Sequence, residues 1–343
     1  MPPEEHRISG TVTIMAGMLM LAVAAGCATD TAGTAASDVP PPAAVEQETE
    51  SAAANAQAEE PTEAEVMDER YRTALALQQA GKPADALVVF RSLAEAGHAE
   101  SAFDYARALD TGEGVPRDRD LAQVWYVKAA NLGSPRAYFL QGLSYANGAG
   151  VEQDMEKAAQ AFTEAARRGH AEAQMRLGRA YANGEGVDRD VLWAMRWYDR
   201  AAVQGNADAQ FAYAVQLASG ENIPLDLPLA AALMEEADRN GHALAGQILP
   251  KIQSRLTPEQ QEQAAGLLAD LSNAGPPGIQ DRPTVRYVQK ALGLLGIDVG
   301  AIDGWMGENT RAGIRIFQEQ IGLTPDGAVT DDLLDRLRGA LKA

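Results

Sequence analysis

Cysteine and histidine, which supply many catalytic sites and most zinc sites, are scarce in this chain of 343 residues. Cys27 is the single cysteine, and His242 is the last of four histidines. The region after His242 therefore cannot hold a Cys–His nucleophile or a histidine-rich zinc centre. The chain also lacks the S-x-x-K, G-x-S-x-G and H-E-x-x-H patterns. We predict no catalytic residue, metal or cofactor, although a hydrolase that uses paired carboxylates stays open.

Positive charge is also in short supply. The chain has 29 Lys and Arg residues against 48 Asp and Glu residues, a net charge of -19, and no segment is strongly basic. This argues against a nucleic-acid partner. Residues 28–69 hold more than half of the excess, because they contain acids but no Lys or Arg. Since they also have almost no large apolar side chain, we predict that residues 27–68 form a disordered acidic linker.

The chain has no apolar run long enough to cross a bilayer. The stretch from Val12 to Ala25 is about 14 residues long, whereas a spanning helix needs about 20. It follows His6 and Arg7 and ends in small residues, which is typical of the core of a signal peptide. We therefore predict a signal peptide over residues 1–26.

The end of this segment, Ala24-Ala25-Gly26-Cys27, resembles the lipobox of bacterial lipoproteins. The resemblance implies that Cys27 becomes the lipidated first residue of the mature protein. Ala28 follows instead of Asp, which by the same resemblance implies an outer-membrane lipoprotein that faces the periplasm. An ordinary cleaved signal peptide with an incidental cysteine is the alternative.

What the chain has in abundance is a repeat of 36 residues. The interval separates one column of glycines, and the same interval recurs in a second glycine column, in an aspartate column and in an alanine column. A fixed period of this length indicates a solenoid, in which each unit buries its apolar face against its neighbours. The first glycine column is Gly97, Gly133, Gly169, Gly205 and Gly241, and the second is Gly112, Gly148, Gly184 and Gly220.

The residue types suit units of helix, glycine-rich turn, helix and glycine. Glycine can adopt the left-handed conformations that such turns need, and aspartates before the second helix can cap its free N–H groups. Aromatic residues at repeat positions are predicted to form the core, whereas Trp193 is expected at the array surface. The histidines that follow closing glycines are predicted to be loop or cap residues. The aspartates are Asp118, Asp154, Asp190 and Asp226, and the histidines are His98, His170 and His242.

These motifs, as in AEAQMRLGRAYANGEGVDRDVLWAMRWYDRAAVQG, resemble Sel-one-like repeats of the tetratricopeptide superfamily. The resemblance implies an all-α, right-handed solenoid of paired antiparallel helices with a concave face that holds a partner protein. Helical spacing of apolar residues over 69–96 predicts an N-terminal cap. A second cap is predicted from His242 to Leu271, with a helix that starts at Thr257-Pro258-Glu259-Gln260. We therefore assign residues 69–272 to the solenoid.

A Pro/Gly linker over 273–280 is predicted to precede a small three-helix bundle over 281–343. Its pattern VQKALGLLGIDVGAIDGWMGENTRAGIRIFQEQIGLTPDGAV resembles the peptidoglycan-binding domain of cell-wall hydrolases. The loop and the helix start that follows it are candidates for ligand contact, with Trp305 able to stack on a sugar or peptide. The candidate peptidoglycan-binding residues are Asp303, Gly304, Trp305, Gly307, Glu308, Asn309, Thr310, Arg311 and Gln318.

For these candidates a purely structural role stays open. Asp303, Gly304, Gly307 and Thr310 could serve only to shape the turn and cap the helix, whereas a turn needs neither Trp305 nor Arg311. The main functional hypothesis is a non-enzymatic envelope lipoprotein that binds peptidoglycan and a protein partner as a scaffold. The alternative is a regulator or accessory subunit of a cell-wall hydrolase or signalling protein.

Overall fold

Helix pairs account for most of the molecule. The computed structural model describes residues 61–221, 223–272 and 282–341, and within them it is all-α. The predicted signal peptide, Cys27 and the Pro/Gly linker of 273–280 lie outside the described residues. The helices of the described ranges are α1 (Glu63–Gln79), α2 (Pro83–Glu95), α3 (Ala99–Thr111), α4 (Arg119–Asn131), α5 (Pro135–Asn147), α6 (Met155–Arg167), α7 (Ala171–Asn183), α8 (Val191–Val203), α9 (Ala207–Ser219), α10 (Leu227–Arg239), α11 (Ala245–Gln253), α12 (Pro258–Ser272), α13 (Arg282–Leu294), α14 (Glu308–Gln320) and α15 (Asp331–Ala340).

The four repeat units are the pairs α3–α4, α5–α6, α7–α8 and α9–α10. The second glycine column ends the first helix of each pair in the left-handed conformation, as at Gly112 with φ 82° and Gly148 with φ 66°. The aspartate column caps the second helix of each pair. Asp118 Oδ1, for example, accepts a hydrogen bond of 3.0 Å from the backbone N–H of Leu121, and Asp190 Oδ1 accepts one of 3.0 Å from Trp193. Both predictions are confirmed.

Small residues let the two helices of a unit approach closely. A Cβ placed on Gly142 of α5 would lie 2.5 Å from the ring of Phe162 on α6. A Cβ on Gly178 of α7 would lie 2.7 Å from the ring of Tyr198 on α8. The aromatic column therefore packs directly on the backbone of the preceding helix, which explains why aromatics and small residues repeat together.

The N-terminal cap begins earlier than the residue 69 predicted for the solenoid. Helix α1 starts at Glu63, because Thr62 Oγ1 accepts from the N–H of Glu65 at 3.3 Å and the Glu65 carboxylate accepts from the N–H of Thr62 at 2.7 Å. This reciprocal capping box holds the first turn in place. The acidic residues from Glu63 onward are therefore helical and not linker.

The helix start predicted at Thr257 in the second cap is confirmed. At the beginning of α12, the N–H of Gln260 donates to Thr257 Oγ1 at 3.3 Å, and the N–H of Thr257 donates to Gln260 Oε1 at 3.1 Å. Helices α11 and α12 close the repeat array by packing against α10. In the ranges described, no helix is both long and apolar enough to span a bilayer.

The C-terminal bundle packs on the repeat array, and a continuous apolar core joins the two. Helix α13 lies against α8, where the rings of Tyr287 and Trp193 have centroids 4.8 Å apart. Trp193, expected at the array surface, is only 3% exposed because the bundle covers that surface. Polar contacts surround this packing. Arg196 pairs with Asp331, Arg167 with Asp335 at 2.6 Å, and Arg338 donates to the Tyr181 hydroxyl at 2.6 Å.

Candidate functional site

The predicted ligand loop is held by one buried glutamine, Gln289 of α13. Its side-chain amide donates to Asp303 Oδ1 at 3.0 Å and to Thr310 Oγ1 at 3.1 Å. Its carbonyl oxygen accepts from the N–H of Gly304 at 2.9 Å. The glutamine thus ties the Asp303-Gly304 turn to the start of α14, and the loop is rigid because both ends of the amide are engaged.

A second turn in the bundle uses the same arrangement. The amide of Gln318 on α14 donates to Asp326 Oδ1 at 2.7 Å, and its carbonyl oxygen accepts from the N–H of Gly327 at 2.9 Å. Gln318 is 4% exposed. Among the predicted contact residues, Gln318 and Thr310 therefore lie inside the bundle and position the loops beside the site.

Gly304 occupies a position that only glycine fits. Its φ is 83°, and a Cβ there would lie 2.9 Å from Arg286 Cγ and 3.0 Å from the carbonyl oxygen of Arg282. The neighbouring Asp303 carboxylate accepts from the N–H of Trp305 at 2.8 Å. This bond, followed by that from Gln289 and by the charge of Arg282, lowers the pKa of Asp303 from its ordinary value. Asp303 is therefore an ionised turn-forming group at neutral pH.

The turn presents Trp305 to solvent. The indole is 52% exposed, although the loop on either side of it is firmly bonded. Arg282 lies over one region of the ring, with its Cζ 4.5 Å from the ring centroid. A large, exposed and fixed aromatic ring is suited to stacking on a sugar or a peptide plane.

Two cavities flank Trp305. The smaller, of about 260 Å³, contains most of the remaining predicted residues, namely Asp303, Gly307, Glu308, Asn309 and Thr310. The larger, of about 700 Å³, contains Gly304 and Arg311 of the predicted set and adds Met306, Asp331 and Arg200. Both volumes fall in or near the range of small-ligand sites. The structure therefore brings all the predicted residues except Gln318 to the walls of two adjoining cavities.

Arg200 is a cavity residue that the sequence did not indicate. It lies in the last turn of α8, on the repeat array, whereas the other residues belong to the bundle. Its repeat equivalents are Lys128, Glu164 and Glu236, so its column shows no consistent chemistry. Over the described ranges, no group of three or more His, Cys, Asp and Glu residues is placed to hold a metal ion.

Family models match both parts of the chain. Residues 99–134, 135–170, 171–206 and 207–242 each match the Sel1 repeat. Residues 281–337 match the putative peptidoglycan binding domain. The chain therefore carries four Sel1 repeats and a C-terminal peptidoglycan-binding domain, which associates it with the cell envelope. Both are typically binding modules without catalytic activity, and together they support a scaffold-like role.

Solved structures with similar repeats were also found. A Sel1 repeat protein from Oxalobacter formigenes is 27% identical, with a TM-score of 0.49, and the match covers 62% of this chain and 91% of that chain. The protective antigen c5321 of uropathogenic Escherichia coli, which displays an SLR fold, is 22% identical, with a TM-score of 0.36 and coverage of 76% and 66%. The immunity protein Pa5087 from Pseudomonas aeruginosa is 22% identical, with a TM-score of 0.37 and coverage of 66% and 86%. The comparison with curated proteins gave no match.

Proposed function

We propose that this protein is a non-enzymatic lipoprotein scaffold that binds peptidoglycan through its C-terminal domain and a protein partner through its Sel1 repeats. The observation that carries the wall-binding half is Trp305. Its indole is half-exposed on a firmly bonded loop between two cavities, and formation of the turn does not require an aromatic side chain. An exposed aromatic ring beside polar cavity walls is the usual arrangement for recognition of sugars and peptides.

The partner-binding half is supported by an open groove on the repeats. This groove, of about 550 Å³, lies between α5 and α6 and contains Tyr145, Lys157 and Gln160. One repeat later, the equivalent positions are Tyr181, Trp193 and Arg196, which seat the chain's own C-terminal bundle. These positions hold a folded domain in one unit and are open in the unit before it. The open groove is therefore a suitable site for a second protein.

The third part of the proposal is a lipid anchor, which fixes the location of the protein. We propose that Cys27 carries the lipid and that the protein faces the periplasm from the outer membrane. Two or more acyl chains would hold it stably, since each buried CH₂ contributes about 0.8 kcal/mol. Anchoring also raises the local concentration of the wall-binding domain, so that a weak affinity for peptidoglycan is sufficient.

Sedimentation with isolated sacculi tests the wall-binding half. The full chain is purified with Cys27→Ser, so that no lipid is attached, and is compared with the same chain carrying Trp305→Ala. We expect the Trp305→Ala chain to need about tenfold more sacculi for half-maximal sedimentation, because a buried aromatic contact contributes 1–2 kcal/mol or more.

The matched control is Leu294→Ala. Leu294 is a large apolar residue of the same domain, 67% exposed, that contacts neither cavity. This variant should sediment like the parent chain. Failure of the parent chain to sediment would overturn the proposed wall binding, and unchanged sedimentation of the Trp305→Ala chain would show that binding does not depend on Trp305.

Two further measurements test the anchor and the partner. Cys27→Ser should move the protein from the membrane to the soluble fraction of cells. A change in the open groove, Lys157→Glu, should release a co-purifying protein while sedimentation with sacculi is unchanged. If that protein is a hydrolase whose activity changes on release, the regulatory alternative is favoured over a passive scaffold.

A further inference from the structure

The larger cavity beside Trp305 has walls from both parts of the molecule. The bundle supplies Trp305, Arg311 and the start of α15, and the repeat array supplies Arg200. The cavity exists in this form only because α13 is packed on α8, through the Tyr287–Trp193 contact. A ligand in it would touch the wall-binding domain and the solenoid at once.

The charges around the cavity favour an anion. Its ionisable residues are Arg200, Arg311 and Asp331. The Asp331 carboxylate is engaged by Arg196, which is 2% exposed and needs that counter-charge. Burial, together with the charge of Arg200, lowers the pKa of Arg196 to about 10, so it is still a cation at neutral pH. With Asp331 balanced by Arg196, the two remaining guanidinium groups give the cavity a positive charge.

Arg200 is placed to receive a ligand. Its closest guanidinium nitrogen is 3.7 Å from Asp331 Oδ1, which is an ion-pair distance but is longer than a hydrogen bond, so its N–H donors are not used by Asp331. The side chain lies by the ring of Trp197, with Cζ 5.5 Å from the centroid, and is 38% exposed. The ring limits its movement, and a guanidinium group carries N–H donors in a planar fork that matches a carboxylate.

We propose that Arg200 and Arg311 bind a free carboxylate of the peptidoglycan stem peptide, so that the wall site is shared by the solenoid and the C-terminal domain. The inference rests on the proposed wall binding and adds its ligand group. Stem peptides end in carboxylates, whereas the glycan strands offer mostly hydroxyl groups and amides. A cavity of about 700 Å³ accommodates a short peptide beside the sugar that stacks on Trp305.

Sacculi with and without free carboxylates test this proposal. The full chain with Cys27→Ser is compared with the same chain carrying Arg200→Gln, on native sacculi and on sacculi whose carboxylates have been amidated. On native sacculi we expect Arg200→Gln to weaken binding about 5- to 10-fold, as for a partly enclosed charged hydrogen bond. On amidated sacculi the two chains should bind equally. Arg200→Lys keeps the positive charge and should therefore retain most of the parent chain's preference for native over amidated sacculi.

The control is Arg239→Gln, which removes an exposed arginine from the last turn of α10. It should bind both preparations like the parent chain. Equal binding of the parent and Arg200→Gln to native sacculi would overturn the inference while leaving wall binding intact. A loss that persists on amidated sacculi would also overturn it, because Arg200 would then act on something other than a carboxylate. If the parent chain does not bind native sacculi, the proposed function and the inference both fail.

Discussion

At the scale of single residues, one column shows how the repeat tolerates different side chains with the same task. The residue before the first helix of each unit is His98, Ser134, His170 and Asn206 in turn. Each accepts a hydrogen bond from a backbone N–H three residues later, as His170 does from Ala173 at 3.2 Å. The prediction that histidines of this column act as caps is thus confirmed for His98 and His170.

His170 makes the stability of the solenoid depend on pH. Burial lowers the pKa of His170 below its ordinary 6.5, and the ring of Phe139 is stacked on the imidazole with the two ring centroids 4.4 Å apart. The unfolded chain therefore binds the proton more readily than the native chain does. The stability that this group contributes is present above pH 6.5 and is lost as the pH falls through the lower native pKa.

We expect His170→Asn to remove this part of the pH dependence. Asparagine caps the equivalent helix at Asn206, where Oδ1 accepts from Ala209 at 2.9 Å, so the variant should change stability at pH 7.5 by less than about 1 kcal/mol. Urea unfolding at pH 7.5 and pH 5.0 measures the effect. The parent chain should lose more stability on acidification than the variant, and parallel losses would contradict this prediction.

At the scale of elements, the glycine-rich turns differ in what surrounds them. Gly150 and Gly186 share one column and one left-handed conformation, with φ 76° and 71°. A Cβ on Gly186 would overlap the carbonyl oxygen of Met155 at the start of α6, whereas a Cβ on Gly150 would meet nothing within 4 Å. The same residue type is therefore required by backbone conformation at one turn, and by conformation and packing at the other.

This difference predicts unequal costs for one substitution. Gly150→Ala should cost about 1–2 kcal/mol, the usual cost of a left-handed residue with a Cβ. Gly186→Ala should cost at least about 2 kcal/mol more, because the turn must also move away from α6. The midpoint of urea unfolding distinguishes the two. Equal midpoints would contradict the prediction, because they would show that neighbouring units can move apart without a loss of stability.

At the scale of the whole molecule, the repeats and the C-terminal domain form one folded body within the described residues. Trp193 and Tyr287 are 3% and 2% exposed, and the ion pairs of Arg196 and Arg167 border them. Isolating the C-terminal domain would uncover this surface. Peptidoglycan binding should therefore be measured with the full chain, in which the domain stays packed on α8.

Two substitutions of Tyr287 test the packing of the C-terminal domain on α8. Its hydroxyl is buried and finds no hydrogen-bond partner among the residues described, whereas its ring packs on Trp193. Tyr287→Phe should therefore preserve stability or raise it by up to about 1 kcal/mol. Tyr287→Ala should cost about 3 kcal/mol and separate the unfolding of the domain from that of the repeats.

Calorimetry of the full chain measures both effects. The parent and Tyr287→Phe should unfold in one transition, and Tyr287→Ala should show an earlier transition of the C-terminal domain. If Tyr287→Phe destabilises the C-terminal domain as much as Tyr287→Ala does, then the hydroxyl and not the ring stabilises its packing on α8.

The fold class and the repeat units could be predicted from sequence because their causes are local or periodic. The columns of glycine, aspartate and alanine mark turns, caps and close helix contacts, and all of these depend on residues within one or two units. The start of α1 was placed too late, because the acidic composition of the linker obscured the Thr62–Glu65 capping box. The cluster of Tyr71, Asp104 and Arg136 was not foreseen either, since these residues differ from their repeat equivalents.

The sequence by itself determined the order of the helices, their caps and the presence of a loop that displays Trp305. Only the tertiary structure decided that the C-terminal domain packs on α8, that Trp193 is buried there and that Arg200 joins the cavity. The physical reason is range. Caps and turns are stabilised by neighbours in the chain. This interface instead joins distant residues such as Trp193 and Tyr287, which no repeat period or local pattern connects.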